Sequence, residues 1–175
     1  MDKTERTGGI TLLLGVVIGL ILGLAVRDIW PPVPLYASAT QGQENYAIAT
    51  GLVDERVEAI YFLDFLTGNL QAAVINPKTG KFNSLFRRNV SADFGQGGSK
   101  NPKYLMVTGL VDMPRGRSNV QAAKSIVYIS DASTGQTVAY TFPWNQSAHV
   151  AGRPQSAGFE PLDRVDFRTM PIRDE

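Results

Sequence analysis

The chain contains one histidine, His149, so only one imidazole is available as a general base. Ser147 and Ser156 are close to it in sequence, but neither lies in the Gly-x-Ser-x-Gly turn that activates a nucleophilic serine. A single histidine excludes sites with several histidine ligands, and the absence of cysteine excludes thiolate metal sites, thiol catalysis and disulfides. We therefore predict no catalytic residue, no metal ligand and no cofactor, with His149 in a loop.

Four aspartates occur in two repeated contexts, Asp54 with Asp112 and Asp64 with Asp131. Repetition of a carboxylate could mark two related cation sites. It is better explained by turns, because an aspartate side chain that follows a strand accepts hydrogen bonds from the backbone of the next turn. We interpret all four as structural.

Two further patterns can be weighed for anion binding. The glycine-rich residues 95–100 lack the Gly-Lys-Ser/Thr order of a phosphate-binding loop, and Pro102 follows where a helix would have to begin. Arg87 and Arg88 could face anionic lipid headgroups or an acidic partner. The formal net charge is only +1, with both signs scattered, so we predict no nucleic-acid surface.

These residues belong to a repeat. Residues 46–54 read Tyr-Ala-Ile-Ala-Thr-Gly-Leu-Val-Asp, and residues 104–112, 58 positions later, read Tyr-Leu-Met-Val-Thr-Gly-Leu-Val-Asp, identical at six of nine positions. Each block is followed by an apolar run that ends in Asp-x-x-Thr-Gly, at residues 64–68 and 131–135. A repeat of this length is typical of one supersecondary unit stacked on another.

Short runs rich in branched and aromatic residues, separated by turn residues, predict an antiparallel meander in each unit. In each turn an Asp or Asn caps the first residue and a glycine takes the left-handed position. These structural turn pairs are Asp64 with Gly68, Asn76 with Gly80, and Asp131 with Gly135. The expected strands are 46–53, 57–66, 70–75 and 81–86 in the first unit, then 104–111, 124–130, 136–142 and 162–167 in the second.

The second unit carries nine extra residues between its first two strands, in the polar loop 113–119. An insertion in one repeat alone is a place for a special contact, and Arg115 and Arg117 there are our candidates for contact with a partner. The alternative is a solvated loop without a role.

Apolar residues 10–26, followed by Trp30 and Pro31, predict a transmembrane helix over residues 10–30. The alternative is a cleaved signal peptide, with Ala-Ser-Ala at 37–39 as the cleavage site, although that site lies far beyond the apolar run. Lys3 and Arg6 precede the span, which places the N-terminus in the cytoplasm and the β domain outside. We expect a single-pass protein of the bacterial inner membrane.

Gly15, Gly19 and Gly23 recur every four residues and so share one face of this helix. Such a face lets two membrane helices approach closely, which favours self-association or docking on a larger membrane protein, although glycine is common in membrane helices anyway.

The pattern of apolar strand, Asp-x-x-Thr-Gly turn and apolar strand, at 59–74 and 125–141, resembles the blades of quinoprotein-type β-propellers. That resemblance implies hairpins of this plan and nothing of those enzymes' chemistry, since they have six to eight blades, a tryptophan near the end of the third strand and an axial cofactor pocket. The Thr-Gly-x-Val-Asp block is also similar to an uncharacterised group of bacterial membrane-anchored proteins, which offers no function to transfer.

The sequence therefore predicts a mainly β protein: a single transmembrane helix followed by two repeated antiparallel meanders, forming two blade-like sheets or a small sandwich or barrel. Two such units leave open edges and apolar faces that would need covering, within the chain or by other chains. We expect a non-enzymatic, membrane-anchored interaction or scaffold protein. The alternatives are a ligand-binding or sensory domain that uses the groove between the repeats, and an enzyme whose site is completed between subunits. The expected divisions are a cytoplasmic tail (1–9), the anchor (10–30), a Pro-containing linker (31–44), repeat 1 (45–92), a connector (93–102), repeat 2 (103–168) and a C-terminal tail (169–175).

Overall fold

The computed structural model describes Leu13 and residues 15–18, 40–42, 44–94, 102–114 and 116–168. The chain forms two compact units, Met1–Leu35 and Tyr36–Glu175. In the first, Leu13 and residues 15–18 are helical. The rest of the expected membrane span lies outside the described residues, as do Gly19 and Gly23. No helix within the described part of the chain is both long and apolar enough to cross a membrane.

The second unit is mainly β. Its described residues form twelve strands, one 3-10 helix and a short α-helix, α1 (Gln146–Val150). The strands are β1 (Thr40–Gly42), β2 (Tyr46–Asp54), β3 (Val57–Asp64), β4 (Asn69–Asn76), β5 (Lys81–Asn89), β6 (Tyr104–Leu110), β7 (Gln121–Ala122), β8 (Ser125–Asp131), β9 (Gln136–Thr141), β10 (Pro143–Trp144), β11 (Gln155–Gly158) and β12 (Glu160–Asp166).

Two larger sheets organise these strands. The first has the order β1-β2-β3-β4-β5-β11, and the second has the order β12-β9-β8-β6. In both, four strands follow one another antiparallel: β2 to β5 in the first, and β6, β8, β9 and β12 in the second. β7 and β10 form a separate antiparallel pair, in which Trp144 lies opposite Gln121.

Three turns have the capping geometry that the residue types favour. The side chains of Asp64, Asn76 and Asp131 each accept a hydrogen bond from the backbone N–H two residues later, at 2.9, 2.8 and 3.0 Å. The closing glycines Gly68, Gly80 and Gly135 have φ values of 68°, 66° and 81°, a region that side-chain-bearing residues rarely adopt. These six residues therefore shape hairpin turns.

The inner faces of the two large sheets meet in one hydrophobic core. Aromatic contacts join them: Phe142, directly after β9, stacks on Phe86 of β5 with ring centroids 4.0 Å apart, and Phe65 meets Tyr104 of β6 at 6.1 Å. The two meanders thus cover each other's inner faces, so these faces need no other chain to bury them. The outer faces stay exposed.

The segment between β9 and β12 departs from the sequence-based expectation of two separate repeats. It returns to the first sheet, where β11 pairs in parallel with β5 and Phe159 enters the core. The expected connector is also partly structural, because Phe94 is buried at the end of the 3-10 helix Ser91–Phe94. Sequence reasoning missed both features since parallel pairing and core insertion depend on distant residues.

Beside the core, a charged pair is held at the junction of the sheets. Arg88 donates to both carboxylate oxygens of Asp93, at 2.7 and 2.6 Å, and the Tyr140 hydroxyl donates to Asp93 at 3.1 Å. Burial and the Asp93 charge raise the pKa of Tyr140, while the hydrogen bond to Asp93 raises the pKa of Arg88. Because the three side chains are hydrogen-bonded to one another, we interpret the cluster as structural.

Candidate functional site

A pocket of about 230 Å³ lies where β2 ends, beside the loop inserted in the second unit. Its size is below the roughly 300–1,000 Å³ of drug-sized sites, so a small polar molecule fits it better than a large one. Its walls come from five segments: the end of β2, the loop after β6, β7 with the connection to β8, β10 and the start of α1. The residues that line it include Asp54, Asp112, Gln121, Lys124, Trp144 and Ser147.

The two repeated blocks converge on this pocket. The backbone N–H of Lys124 donates to the carbonyl oxygen of Val53 at 3.0 Å, and the Lys124 carbonyl accepts from the N–H of Val111 at 2.9 Å. Lys124 thus bridges the ends of both blocks. As a result Asp54 and Asp112, the last residues of the blocks, line the same pocket.

The two aspartates differ in environment. Asp54 is only 7% exposed, and its Oδ1 accepts a hydrogen bond from the Glu55 N–H at 2.8 Å, in agreement with a turn-capping role. Asp112 is exposed and also lines the pocket. Lys124 also lines the pocket, and its ammonium lies 3.9 Å from the Glu55 carboxylate. The pocket therefore holds carboxylates and a cation together.

The close approach of the blocks depends on their shared Thr and Gly. The Thr108 hydroxyl donates to the carbonyl oxygen of Thr50 at 2.6 Å. A Cβ on Gly51 would lie 3.0 Å from Ser125 Cβ and 3.3 Å from the Tyr61 ring, two residues whose hydroxyls are hydrogen-bonded to each other. Glycine at this position lets β2 approach β8, which is one physical reason for the repeated Thr-Gly.

The floor of the pocket includes Trp144, which is 3% exposed. Its ring lies 5.0 Å from the His149 ring, and neither Trp144 Nε1 nor His149 Nδ1 has a hydrogen-bond partner among the residues the structure describes. Burial lowers the pKa of His149, an effect opposed by the charge of Asp54, so the imidazole is neutral at pH 7. The Trp144 Nε1 atom is itself enclosed, so it presents no donor to the pocket.

The loop predicted to be an insertion forms the outer wall. Gln121 braces it, because its Nε2 donates to the Gly116 carbonyl at 3.1 Å and its Oε1 accepts from the Gly116 N–H at 3.1 Å. A polar side chain thus holds an exposed loop in one shape. Over its described residues, the loop therefore forms part of the pocket wall.

The other candidates from sequence lie elsewhere or outside the described residues. Asp64 and Asp131 cap turns away from the pocket lining, and Arg117 is exposed on the inserted loop, while Arg115 is outside the described residues. His149 is in α1 rather than a loop, and buried. Over the described ranges, no group of three or more His, Asp or Glu side chains is arranged to hold a metal ion.

Trp144 and Lys124 are the pocket residues that sequence reasoning did not single out. Their signal was weak: Lys124 is the first residue of an expected strand and Trp144 lies just after another, and neither has a partner nearby in sequence. The repeated Asp54 and Asp112 did stand out, but their meeting in one pocket depends on how the blocks pack.

Comparisons with protein families, with curated proteins and with solved structures gave no significant match for this chain.

Proposed function

We propose that this chain is a membrane-anchored, non-enzymatic interaction protein that associates with itself or with a larger membrane protein through its extracytoplasmic β domain. The apolar run at 10–26 supports the anchor, and its three glycines support contact between helices. The carrying observation is the outer face of the first sheet, where large apolar side chains are exposed next to one another.

This outer face is defined by five residues on β2 to β5: Tyr46, Phe62, Ile75, Phe82 and Leu85. Tyr46 stacks on Phe62 with ring centroids 5.3 Å apart, and Ile75 is paired with Phe82 in the register of β4 and β5. The five side chains are between 37% and 60% exposed. Large apolar side chains that are exposed on one face of a sheet support an interaction surface there.

The test is chemical crosslinking of the full chain after gentle extraction from membranes. We expect crosslinked species that decrease in Phe62→Lys, which places a charge on the outer face, and in Gly19→Leu, which blocks the helix face. Leu66→Lys is the matched control, because Leu66 is 80% exposed in the β3–β4 turn and lies off the outer face. An unchanged monomer in the wild type and all three variants would refute the proposal.

A second candidate is that the domain binds a small molecule in the pocket. The supporting observation is that Asp54, Asp112 and Lys124 line one pocket, and Trp144, which also lines it, offers a fluorescent reporter. Trp30 is the only other tryptophan, so in a Trp30→Phe full-length background the fluorescence reports on Trp144 alone. We expect a small-molecule panel to contain compounds that change this emission and raise the unfolding temperature. A panel without effect on either would reject this candidate.

A further inference from the structure

The last strand of the second sheet, β12 (Glu160–Asp166), has an open edge in the described part of the chain. It pairs with β9 on one side and is terminal in the sheet order β12-β9-β8-β6. All seven of its residues are exposed. An edge strand presents a row of backbone N–H and C=O groups that are able to pair with another strand. A further strand could therefore extend the second sheet here.

The ladder with β9 determines which residues of β12 direct their backbone to the open side. The Phe167 N–H donates to the Gly135 carbonyl at 3.0 Å, and the register is regular beyond the bulge near the start of the strand. Because backbone groups alternate in direction along an antiparallel strand, Val165 faces β9 as Phe167 does. Arg164 and Asp166 therefore direct their N–H and C=O groups away from β9.

The hydrogen bond of the Arg164 N–H agrees with this direction. Its acceptor is a side-chain oxygen, Oδ1 of Asp163 at 2.8 Å, and not a backbone carbonyl of β9. The charged groups of Arg164 and Asp166 have no ion-pair partner among the residues that the structure describes. The open edge thus carries two unpaired charges of opposite sign, two positions apart.

This charge order makes the edge complementary to a second copy of itself. In an antiparallel pair of two β12 strands, outward-facing residues lie opposite outward-facing residues. A two-fold axis at Val165 places Arg164 of each copy opposite Asp166 of the other, and Val165 opposite its own copy. Moving the axis by one residue to either side would place two like charges directly opposite, which is destabilising. The charges therefore favour one register.

We propose that β12 is a self-association edge, at which two copies of this chain pair antiparallel and join their second sheets into one. The inference rests on the self-association in the function proposed above and uses a surface distinct from the outer face of the first sheet. Arg164 and Asp166 form an ion pair on each side of the axis, and the Arg164 N–H exchanges its Asp163 acceptor for a carbonyl of the other copy. Pro161, which has no N–H, lies outside the paired residues 163–167. The contact is isologous, so it closes at two copies.

The test introduces one thiol into the full-length chain, which has no cysteine of its own, so that any disulfide must join two copies. In the proposed register, Val165 and its copy form a non-hydrogen-bonded pair with Cα atoms about 4.5 Å apart, a distance that a disulfide spans. Val165→Cys should therefore give a disulfide-linked dimer after mild oxidation in gently extracted membranes, measured on a non-reducing gel.

Phe167→Cys is the matched control for the register. Phe167 lies on the same face of the chain as Val165, directly after β12, and is more exposed, at 73% against 48%. Random collisions would therefore crosslink it at least as well. In the proposed register the two copies of this residue are separated by about 13 Å along the strands, too far for a disulfide. We expect little or no dimer from this variant.

Charge reversals assign the crosslink to the ion pairs. In the Val165→Cys background, Arg164→Asp places carboxylates opposite each other and Asp166→Arg places guanidinium groups opposite each other; each should slow disulfide formation at least about fivefold. The double variant Arg164→Asp/Asp166→Arg restores opposite charges and should recover the wild-type rate. Both positions are exposed, so these changes leave the core intact.

The outcomes separate this edge from the proposed function. If Val165→Cys forms no disulfide while chemical crosslinking still yields species that Phe62→Lys reduces, the proposed function stands and the β12 edge is refuted. A chain that stays monomeric in both experiments refutes both. Equal disulfide yields from Val165→Cys and Phe167→Cys, or a double charge reversal that fails to recover the rate, would overturn the proposed register.

Discussion

Replacing Gly51 by alanine tests whether the repeated glycine exists for close packing between the sheets. The new Cβ would lie 3.0 Å from Ser125 Cβ and 3.3 Å from the Tyr61 ring. Both neighbours are fully buried and their hydroxyls bond to each other, so neither can move aside freely. Gly109, at the equivalent position of the second block, gives a matched comparison. A Cβ there would meet only Tyr128, at 3.1 Å, and Tyr128 is half-buried and able to shift.

The expected magnitude follows from two opposing terms. Overpacking in a close-packed interior costs about 1–3 kcal/mol. Against this, alanine is favoured over glycine within a strand by about 0.5–1 kcal/mol, because the unfolded chain loses less backbone freedom. We therefore expect Gly51→Ala to lower the free energy of unfolding by about 1–2 kcal/mol, and Gly109→Ala to change it by less than about 0.5 kcal/mol.

The assay is urea unfolding of the full chain in detergent, followed by circular dichroism of the β domain. Gly42→Ala is an additional control, since a Cβ at Gly42 would meet no atom within 4 Å. The double variant Gly51→Ala/Ser125→Gly removes the closest contact and should be more stable than the sum of the single changes indicates. Equal stability of Gly51→Ala and Gly109→Ala would refute the packing explanation of the glycine at position 51.

Three further changes concern polar groups. Asp93→Asn breaks the bidentate pair with Arg88 and should lower the free energy of unfolding by about 2 kcal/mol in urea titrations; a loss below about 0.5 kcal/mol would contradict a structural role. Tyr140→Phe removes only one hydrogen bond to Asp93 and should cost about 1 kcal/mol. The pKa of His149 is lowered in the folded chain, so the unfolded chain takes up a proton first as the pH falls below about 6.5. The free energy of unfolding should therefore decrease from there down to the pKa of the folded state. His149→Gln should show a smaller decrease over this pH range, and an identical decrease in both proteins would refute the prediction.

The strand and turn pattern of this protein was readable from sequence because it is local. Each of the eight expected strands coincides with a strand of the structure to within three residues at either end. The reasons lie in residues close together in the chain: branched and aromatic runs favour strands, and an Asp or Asn followed by a glycine closes a hairpin. The capping bonds of Asp64 and Asn76 show this chemistry directly.

The tertiary structure alone decided what those strands do together. The parallel pairing of β11 with β5 and the entry of Phe159 into the core join segments about 70 residues apart, and no local pattern encodes such contacts. The same holds for the pocket, because Asp54 and Asp112 are 58 residues apart and line it together only because Lys124 is hydrogen-bonded to the preceding residues, Val53 and Val111. Sequence could show that the aspartates are repeated; whether they meet in one pocket depends on the free energy of packing two whole sheets.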